Sequence, residues 1–599
     1  MSEYQAPLQD MRFALQSLID LEQLAALPGF EDATPDLIDA VLDEAAKFAA
    51  NELSPINRSG DLQGLSWTEG EVATADGWKG AYSQFVEGGW NSLSCAAEHG
   101  GQNLPRLVSA LTEEMWNGAN ISFALCPMLT RGAIEAIELR GSDALKATYL
   151  PKLVSGEWTG TMNLTEPQAG SDLSAVRTRA EPQADGSYQL DGQKIFITYG
   201  EHDLADNIIH LVLARTPDAP EGVKGISLFV VPKFMVKEDG SPGERNDVRC
   251  VSIEHKLGIH ASPTCVIAFG GNGGATGYLV GEENRGLEYM FIMMNAARYS
   301  VGIEGIGLSE RAYQRAVSYA RERVQGVEAG VRGGGKVPII RHPDVRRMLM
   351  LMRSQTEAMR ALACVVASAM DIARLHPEAD RRAQQQAFVD LMIPVVKGWC
   401  TENSIDITSL GVQVHGGMGY IEETGAAQHF RDSRITTIYE GTTGIQANDL
   451  IGRKIARDGG ATAATVLVQM SEVASSASGA SDESLKLIGQ SLAEAVSALS
   501  ASVDYVVANF KQDMRSTSVG AVPLLKLFGV VAGGWLMARE ALAAQAGLSA
   551  ASGTEATFLQ NKLVTARFYA EHVLTQADGL ARTIRCGAAS ALALADDAF

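Results

Sequence analysis

The sequence is poor in four things, and each shortage excludes something. Cysteine is scarce: seven residues (Cys95, Cys126, Cys250, Cys265, Cys364, Cys400, Cys586) are scattered with no CxxC pair and no metal-ligand spacing. That pattern excludes a disulfide framework and a zinc site, and reads as free thiols in a reducing compartment with no metal. Positive charge is scarce too, with 50 Lys plus Arg against 71 Asp plus Glu and a net charge of -21. Such a surface repels phosphate backbones and anionic lipid heads, so nucleic-acid binding is excluded as the main task. Long apolar runs are missing: the best membrane candidate, from Leu527 to Ala538 between Lys526 and Arg539, has about 12 residues where a span needs about 20. It reads as a core helix, and no integral membrane segment is expected. The N-terminal Met-Ser-Glu-Tyr-Gln lacks a basic stretch followed by an apolar one, so a cytoplasmic location is expected.

What is present is a globular composition, 46% hydrophobic and 20% charged, in 599 residues. At roughly 100–200 residues per domain this allows about three to five domains. Apolar residues recur at helical spacing through the first region, and Pro35 behind Thr34 fits an N-cap with a first-turn proline. A turn-rich stretch from Ala97 to Pro105 reads as a loop at a cavity edge. The pattern then changes to short β-rich runs: Tyr188 to Leu190, Lys194 to Thr198, Ile208 to Ala214, Ile226 to Val231, Val248 to Glu254 and Cys265 to Phe269. Asp185-Gly186 and Asp191-Gly192 look like turns separating the first of them. No helix-length segment lies between these runs, which favours an antiparallel sheet over a βαβ arrangement. Helical spacing returns at Leu287, interrupted by a Gly-rich insert from Gln325 to Val337 that reads as an exposed loop. The expected fold is α+β: an N-terminal helical domain (1–160), a central antiparallel β domain (161–284), a C-terminal four-helix bundle (285–460) and an appended helical domain (461–599). The last carries nine basic and twelve acidic residues and has no basic face.

Three clusters carry chemistry. Thr165-Glu-Pro-Gln-Ala-Gly170-Ser171-Asp172 offers short hydroxyls and a glycine whose neighbouring amides can approach a planar heterocycle or a phosphate. Taken alone it equally fits a capping turn. Gln413-Val-His-Gly416-Gly417-Met-Gly419-Tyr420 is not a dinucleotide fingerprint, because the preceding strand, the following helix and the GxGxxG spacing are all missing. Its glycines permit close backbone approach, and a helix C-cap explains them as well. Glu440, in Ile438-Tyr439-Glu440-Gly441-Thr442-Thr443-Gly444, places a carboxylate after an apolar stretch. Desolvation there strengthens a base for proton abstraction from carbon, although macrodipole stabilisation of a helix N-terminus explains the residue too.

Together and in this order the clusters resemble the acyl-CoA dehydrogenase family, over about residues 40 to 455. TEPxAGSD stands as Thr165 to Asp172, the Trp-Ile-Thr strand as Phe196-Ile197-Thr198, QxxGGxGY as Gln413 to Tyr420, and YEGT as Tyr439 to Thr442. The length and the C-terminal extension resemble the family's long subgroup of about 600 residues. The resemblance implies an FAD-dependent α,β-dehydrogenation of an acyl-CoA to a trans-2-enoyl-CoA, as in β-oxidation of fatty acids, with electrons passed to an electron-transfer flavoprotein. It also implies 3-methylmercaptopropionyl-CoA or a fatty acyl-CoA as substrate, and a homodimer with cross-subunit FAD contacts.

By motif position, the resemblance makes Glu440 the base that takes the α-proton while the β-hydride goes to flavin N5. FAD contacts are implied for Met162, Leu164, Thr165, Ser171, Phe196, Thr198, Arg323, Gln413, Gly416, Gly417, Thr442 and Gly444. Substrate contacts are implied for Ser171, Asn295, Arg298, Tyr439 and Gly441. Arg298 and Arg323, 25 residues apart on one predicted helix, stand about 37 Å from each other and so serve different places, the second reaching the partner subunit's flavin. Two departures stand out: Arg323 is followed by Val324-Gln325-Gly326 where many relatives have an aromatic, and Phe196 lacks the indole N–H of the usual Trp. The alternatives are an acyl-CoA oxidase and, from another class, a flavin-containing DNA-binding protein of the alkylation-response type. The acidic C-terminal region opposes the second of these.

Overall fold

The computed structural model describes residues 4–599. Internal contacts divide the chain into two units. One comprises the residues up to Ala46, Pro105–Gly118 and Val301–Phe599; the other comprises Lys47–Leu104 and Ala119–Ser300. The helix Arg106–Arg140 is broken at the junction, where Asn120 has φ -161° and ψ 89°.

The second unit is built on an eight-stranded sheet. Its strands are β1 (Trp158–Asn163), β2 (Arg179–Pro182), β3 (Tyr188–Thr198), β4 (Asn207–Ala214), β5 (Ser227–Pro232), β6 (Val248–Ile253), β7 (Thr264–Phe269) and β8 (Ala275–Leu279). The spatial order is β6-β7-β3-β8-β5-β4-β1, with β2 also on β3. All pairings are antiparallel except β1 with β4, so the sheet is mixed rather than purely antiparallel. The chain reaches β4 from β1 through β2 and β3, which is how two parallel neighbours arise without a crossover helix. β4 and β5 are apolar on both faces because both are covered. Ile209, Leu211 and Leu213 join a core with Leu129, Tyr149 and Met290, while Val212 and Ala214 join a second core with Ile197 and Phe269.

Two readings of the sequence are corrected here. Asp191-Gly192 is not a turn: β3 runs through it, with Arg179 paired to Asp191 and Phe269 to Gly192. The glycine is required because a Cβ there would fall 2.5 Å from Thr178 Oγ1. The Asp185-Gly186 turn does form, between β2 and β3. The Gly-rich insert is not only a loop, since Val324–Val327 pairs with Lys336–Pro338 in a small hairpin whose first strand is exposed.

The first unit is helical. Pro343–Leu375 and Ala379–His415 form an antiparallel pair with the later part of Gly286–Glu322, and Arg360 at its centre holds Glu114 at 2.6 Å and Glu310 at 2.8 Å. The appended region packs on this bundle through the buried helix Ala521–Gly547. Two helices, Glu483–Asn509 and Ala521–Gly547, are long and apolar enough to cross a membrane, so the short run counted from the sequence underestimated the second. That helix is covered within the fold: a Cβ at Gly529 would fall 2.1 Å from Trp399, so glycine is what lets the two helices meet. Leu524, Leu527, Phe528, Val531 and Trp535, the apolar stripe seen in the sequence, are all buried.

Candidate active site

One group of candidate residues stands on the sheet unit. β1 delivers Met162 and Leu164, both buried, and then Thr165, half-buried. The Thr165 carbonyl accepts the Ile195 N–H at 2.9 Å, which brings this exit beside β3. The stretch is fixed from beneath by a pair that sequence reasoning missed. Lys194, wholly buried, donates to the Leu164 carbonyl at 3.0 Å and to Glu166 Oε1 at 2.8 Å. Glu166 also accepts the N–H groups of Arg177 and Thr178 and the Thr178 hydroxyl. Although burial opposes ionisation, the Lys194 ammonium and these hydrogen bonds hold the Glu166 carboxyl near 2, and burial lowers Lys194 to about 8. Both groups are therefore charged at neutral pH, and the glutamate of the TEP motif is an anchor. The one signal available was a lysine at an inward position of an alternating strand.

Phe196 is 58% exposed, and its φ is +60°. The register slips opposite it, with Cys265 facing Ile197 and Ile267 facing Lys194, so Phe196 sits in a bulge that turns its ring out of the pleat. A non-glycine residue held in this region costs of order 1–3 kcal/mol and persists only where its surroundings impose it. Thr198 follows half-buried, and Ser171 is exposed beside Gly170, where a Cβ would meet nothing. The β1 exit and the neighbouring β3 thus offer an exposed apolar ring, buried apolar residues and hydroxyls. On the same unit Arg298 is buried, with Nη1 3.4 Å from Asn295 Oδ1 and its guanidinium 5.9 Å from the Phe291 ring.

A second group lies in the helical unit. Glu440 is half-buried at φ +55°, followed by Gly441 at φ +88°. Gln446, wholly buried, clamps this turn by donating Nε2 to the Glu440 and Gly441 carbonyls at 3.2 and 3.4 Å. A Cβ at Gly441 would fall 2.6 Å from that same nitrogen, so only glycine fits. Thr442 caps the helix Thr443–Asp449 by accepting the Ile445 N–H at 3.3 Å. Before the turn, the Tyr439 hydroxyl donates to Glu304 Oε2. Burial pushes Glu304 up to about 8, with the Glu440 charge adding to the rise and Tyr439 and Lys397 opposing it. The base candidate therefore stands near a carboxyl that is protonated at neutral pH. Glu304 was legible only as a lone acid in the run Val301-Gly-Ile-Glu304-Gly-Ile.

A stability prediction follows from that carboxyl. Its folded pKa is raised, so between about 4.5 and 8 the native state binds a proton that the unfolded state has released, and stability falls as pH rises through this window. Glu304→Gln, which mimics the protonated form, is expected to melt close to wild type at pH 5 and progressively above it towards pH 8. Parallel melting curves of the two proteins across that range check it.

Arg323 lies just past the end of Gly286–Glu322, exposed, with its N–H bonded to Tyr319. Gln413 occupies the last turn of Ala379–His415 and is exposed, as are Gly416 and Gly417 in the 3₁₀ turn that follows. Neither glycine has an atom within 4 Å of where a Cβ would stand, so the backbone there is open to a ligand. Thr442 and Gly444 are half-buried around the cap.

Models of the acyl-CoA dehydrogenase N-terminal, middle and C-terminal domains match residues 36–157, 161–271 and 284–455, and an acetyl-CoA dehydrogenase C-terminal-like model matches 466–595. The 3-methylmercaptopropionyl-CoA dehydrogenase of Ruegeria pomeroyi is 52% identical, covering 96% of each chain. The broad-specificity linear acyl-CoA dehydrogenase FadE5 of Mycobacterium tuberculosis is 36% identical, again over 96% of each. Among solved structures, an acyl-CoA dehydrogenase of Bacillus anthracis complexed with FAD shares the fold at TM-score 0.74 and 22% identity, covering 96% of this chain and 91% of that one. The chain belongs to the acyl-CoA dehydrogenase family, whose members are oxidoreductases dependent on FAD.

Proposed function

We propose that the chain is an FAD-dependent dehydrogenase of 3-methylmercaptopropionyl-CoA, forming the trans-2-enoyl thioester. The observation that carries the reaction is the Tyr439-Glu440-Gly441 turn, which holds one carboxylate at a fixed, half-buried position. The 52% identity to a dehydrogenase of that name supports the substrate. The residues fit FAD. Phe196, Met162 and Leu164 offer apolar cover with Thr165 and Thr198 as hydrogen-bonding hydroxyls, and Arg323, Gln413, Gly416 and Gly417 offer an exposed cation and open backbone for a pyrophosphate. When bound, the flavin supplies an acceptor for the substrate's β-hydrogen with its electron pair. Glu440 takes the α-proton on a carboxylate oxygen. Its backbone N–H donates to the thioester carbonyl and so acidifies that C–H. Tyr439, held by Glu304, and Gly441, held by Gln446, keep the carboxylate in place, while Ser171, Asn295 and Arg298 contact the CoA thioester. Thr442 and Gly444 contact the cofactor.

Electrons then leave to an electron-transfer flavoprotein, and the seven free cysteines are in keeping with a cytoplasmic location. Anaerobic flavin bleaching tests the substrate. 3-Methylmercaptopropionyl-CoA should bleach the flavin faster than butyryl-CoA or palmitoyl-CoA, and faster bleaching by palmitoyl-CoA would reassign the chain to long fatty acyl groups. Reoxidation by electron-transfer flavoprotein rather than air separates dehydrogenase from oxidase, and the absence of a salt-dependent gel shift separates it from a DNA-binding relative.

Arg323 is proposed to reach the partner subunit's FAD. Arg323→Ala should lose FAD on dialysis while the sites still occupied turn over normally; full occupancy would remove Arg323 from that role. A homodimer follows, because Arg323 and Gln413 complete the other site. The appended helices pack on the bundle through Ala521–Gly547, and in this proposal they occupy the face that a second dimer would need. Light scattering should give about twice 63.7 kDa, and a stable tetramer or an FAD-replete monomer would contradict the arrangement.

A further inference from the structure

A cavity of about 440 Å³ lies in the helical unit, away from the Tyr439-Glu440 turn. It is lined by the N-terminal segment around Leu18–Gln23, by Pro343–Leu375 and Ala379–His415, and by the appended region. Its volume is within the range of small-molecule sites. Ile19, Ile372 and Phe388 give it an apolar wall. Two donors stand one helical turn apart on Ala521–Gly547, Trp535 and Arg539, and both line the cavity.

Neither donor is fully used. Arg539 is half-buried; its Nη2 donates to the Leu18 carbonyl at 2.8 Å and its guanidinium lies 5.7 Å from the Trp535 ring. Among the described residues no carboxylate comes within ion-pairing distance of it, and burial holds its pKa below the ordinary guanidinium value despite the neighbouring Glu540. Trp535 is 4% exposed, and its indole N–H has no acceptor. A partly desolvated cation without a counter-ion is unfavourable, and an anion in the cavity placed against the Arg539 guanidinium relieves it. The acid at the rim is Asp20, whose carboxylate caps Leu21–Ala25 through the Gln23 N–H at 2.9 Å. It disfavours a dianion, so a phosphate fits poorly and a monoanion fits well.

We propose that this cavity binds a free monocarboxylic acid with a short aliphatic body, its carboxylate on Arg539 and its chain against Ile19, Ile372 and Phe388. The site needs the appended region, which supplies Arg539, and is independent of the reading of Glu440. Octanoate is the probe, with octan-1-ol and inorganic phosphate as controls, titrated calorimetrically into FAD-loaded enzyme. Octanoate should bind wild type, with affinity reduced at least about tenfold in Arg539→Gln, and neither control should bind. Ala387→Phe, which fills the half-exposed rim of the cavity, should abolish binding with FAD content and turnover unchanged, and this holds even if Arg539→Gln folds poorly. Octanoate should also bind Glu440→Gln enzyme whose active site is saturated with acyl-CoA, as tightly as it binds wild type. The proposal is overturned if octanoate fails to bind at millimolar concentration, if Arg539→Gln and Ala387→Phe both leave its affinity unchanged, or if acyl-CoA displaces it.

Discussion

Glu440→Gln is expected to retain FAD and to bind acyl-CoA while its flavin is reduced at least about 100-fold more slowly, the low end for removing a positioned base. The amide is isosteric, so the clamp from Gln446 to the Glu440 and Gly441 carbonyls and the Tyr439–Glu304 bond survive. What disappears is the proton acceptor alone. Near-normal single-turnover reduction in the variant would place the base elsewhere. Glu304 is the nearby alternative, but at about 8 its carboxyl is protonated at neutral pH and is poorly suited to accept a proton there.

The second large effect concerns stability. Lys562→Met is expected to cost roughly 3–5 kcal/mol, the range for breaking a buried ion pair from one side. Lys562 is 1% exposed and holds Glu357 at 2.8 Å, Glu540 at 2.7 Å and Asp10 at 3.4 Å, joining the appended helices to the bundle and to the N-terminal helix. One ammonium serves three acids unequally. Lys562 and Arg353 outweigh burial at Glu357 and hold it near 2, whereas burial leaves Glu540 raised to about 7 and Asp10 above its ordinary value. Without the lysine the folded-state pKa values of these acids rise further, so the variant's deficit should grow as pH rises above the unfolded carboxyl range and shrink towards pH 5. Thermal melts of both proteins at pH 5.5 and 8 measure this. An equal melting temperature at pH 8 would show that the cluster does not hold the appended region.

Contiguous motifs made much of the candidate site legible. Thr165 to Asp172, Phe196 to Thr198, Gln413 to Tyr420 and Tyr439 to Thr442 each lie within a few residues, so local chemistry and order were enough to pick them out. What supports them was not legible, because it comes from far along the chain. Lys194 reaches Glu166 across 28 residues, Glu304 meets Tyr439 across 135, and a lone charged residue in a strand or helix reads by default as solvated. The helical spacing announced the long helices and the buried stripe of Ala521–Gly547. It could not announce the parallel β1–β4 pair, which depends on how strands return to the sheet. Asp191-Gly192 misled because a glycine needed for the approach of Thr178 looks, in sequence, the same as one needed for a turn. Nor could it show that the residues up to Ala46 share a unit with Val301–Phe599, since that association is wholly long-range.

Removal of an α-proton and a β-hydride from an acyl-CoA is the reaction proposed for this chain. It is tested most directly by mixing the FAD-loaded protein anaerobically with one equivalent of 3-methylmercaptopropionyl-CoA and analysing the thioester by mass. One flavin should be bleached per thioester that has lost two hydrogens, with Glu440→Gln giving neither change on the same timescale. A bound but unchanged thioester with oxidised flavin in the wild-type protein, while other acyl-CoAs are equally inert, would contradict it.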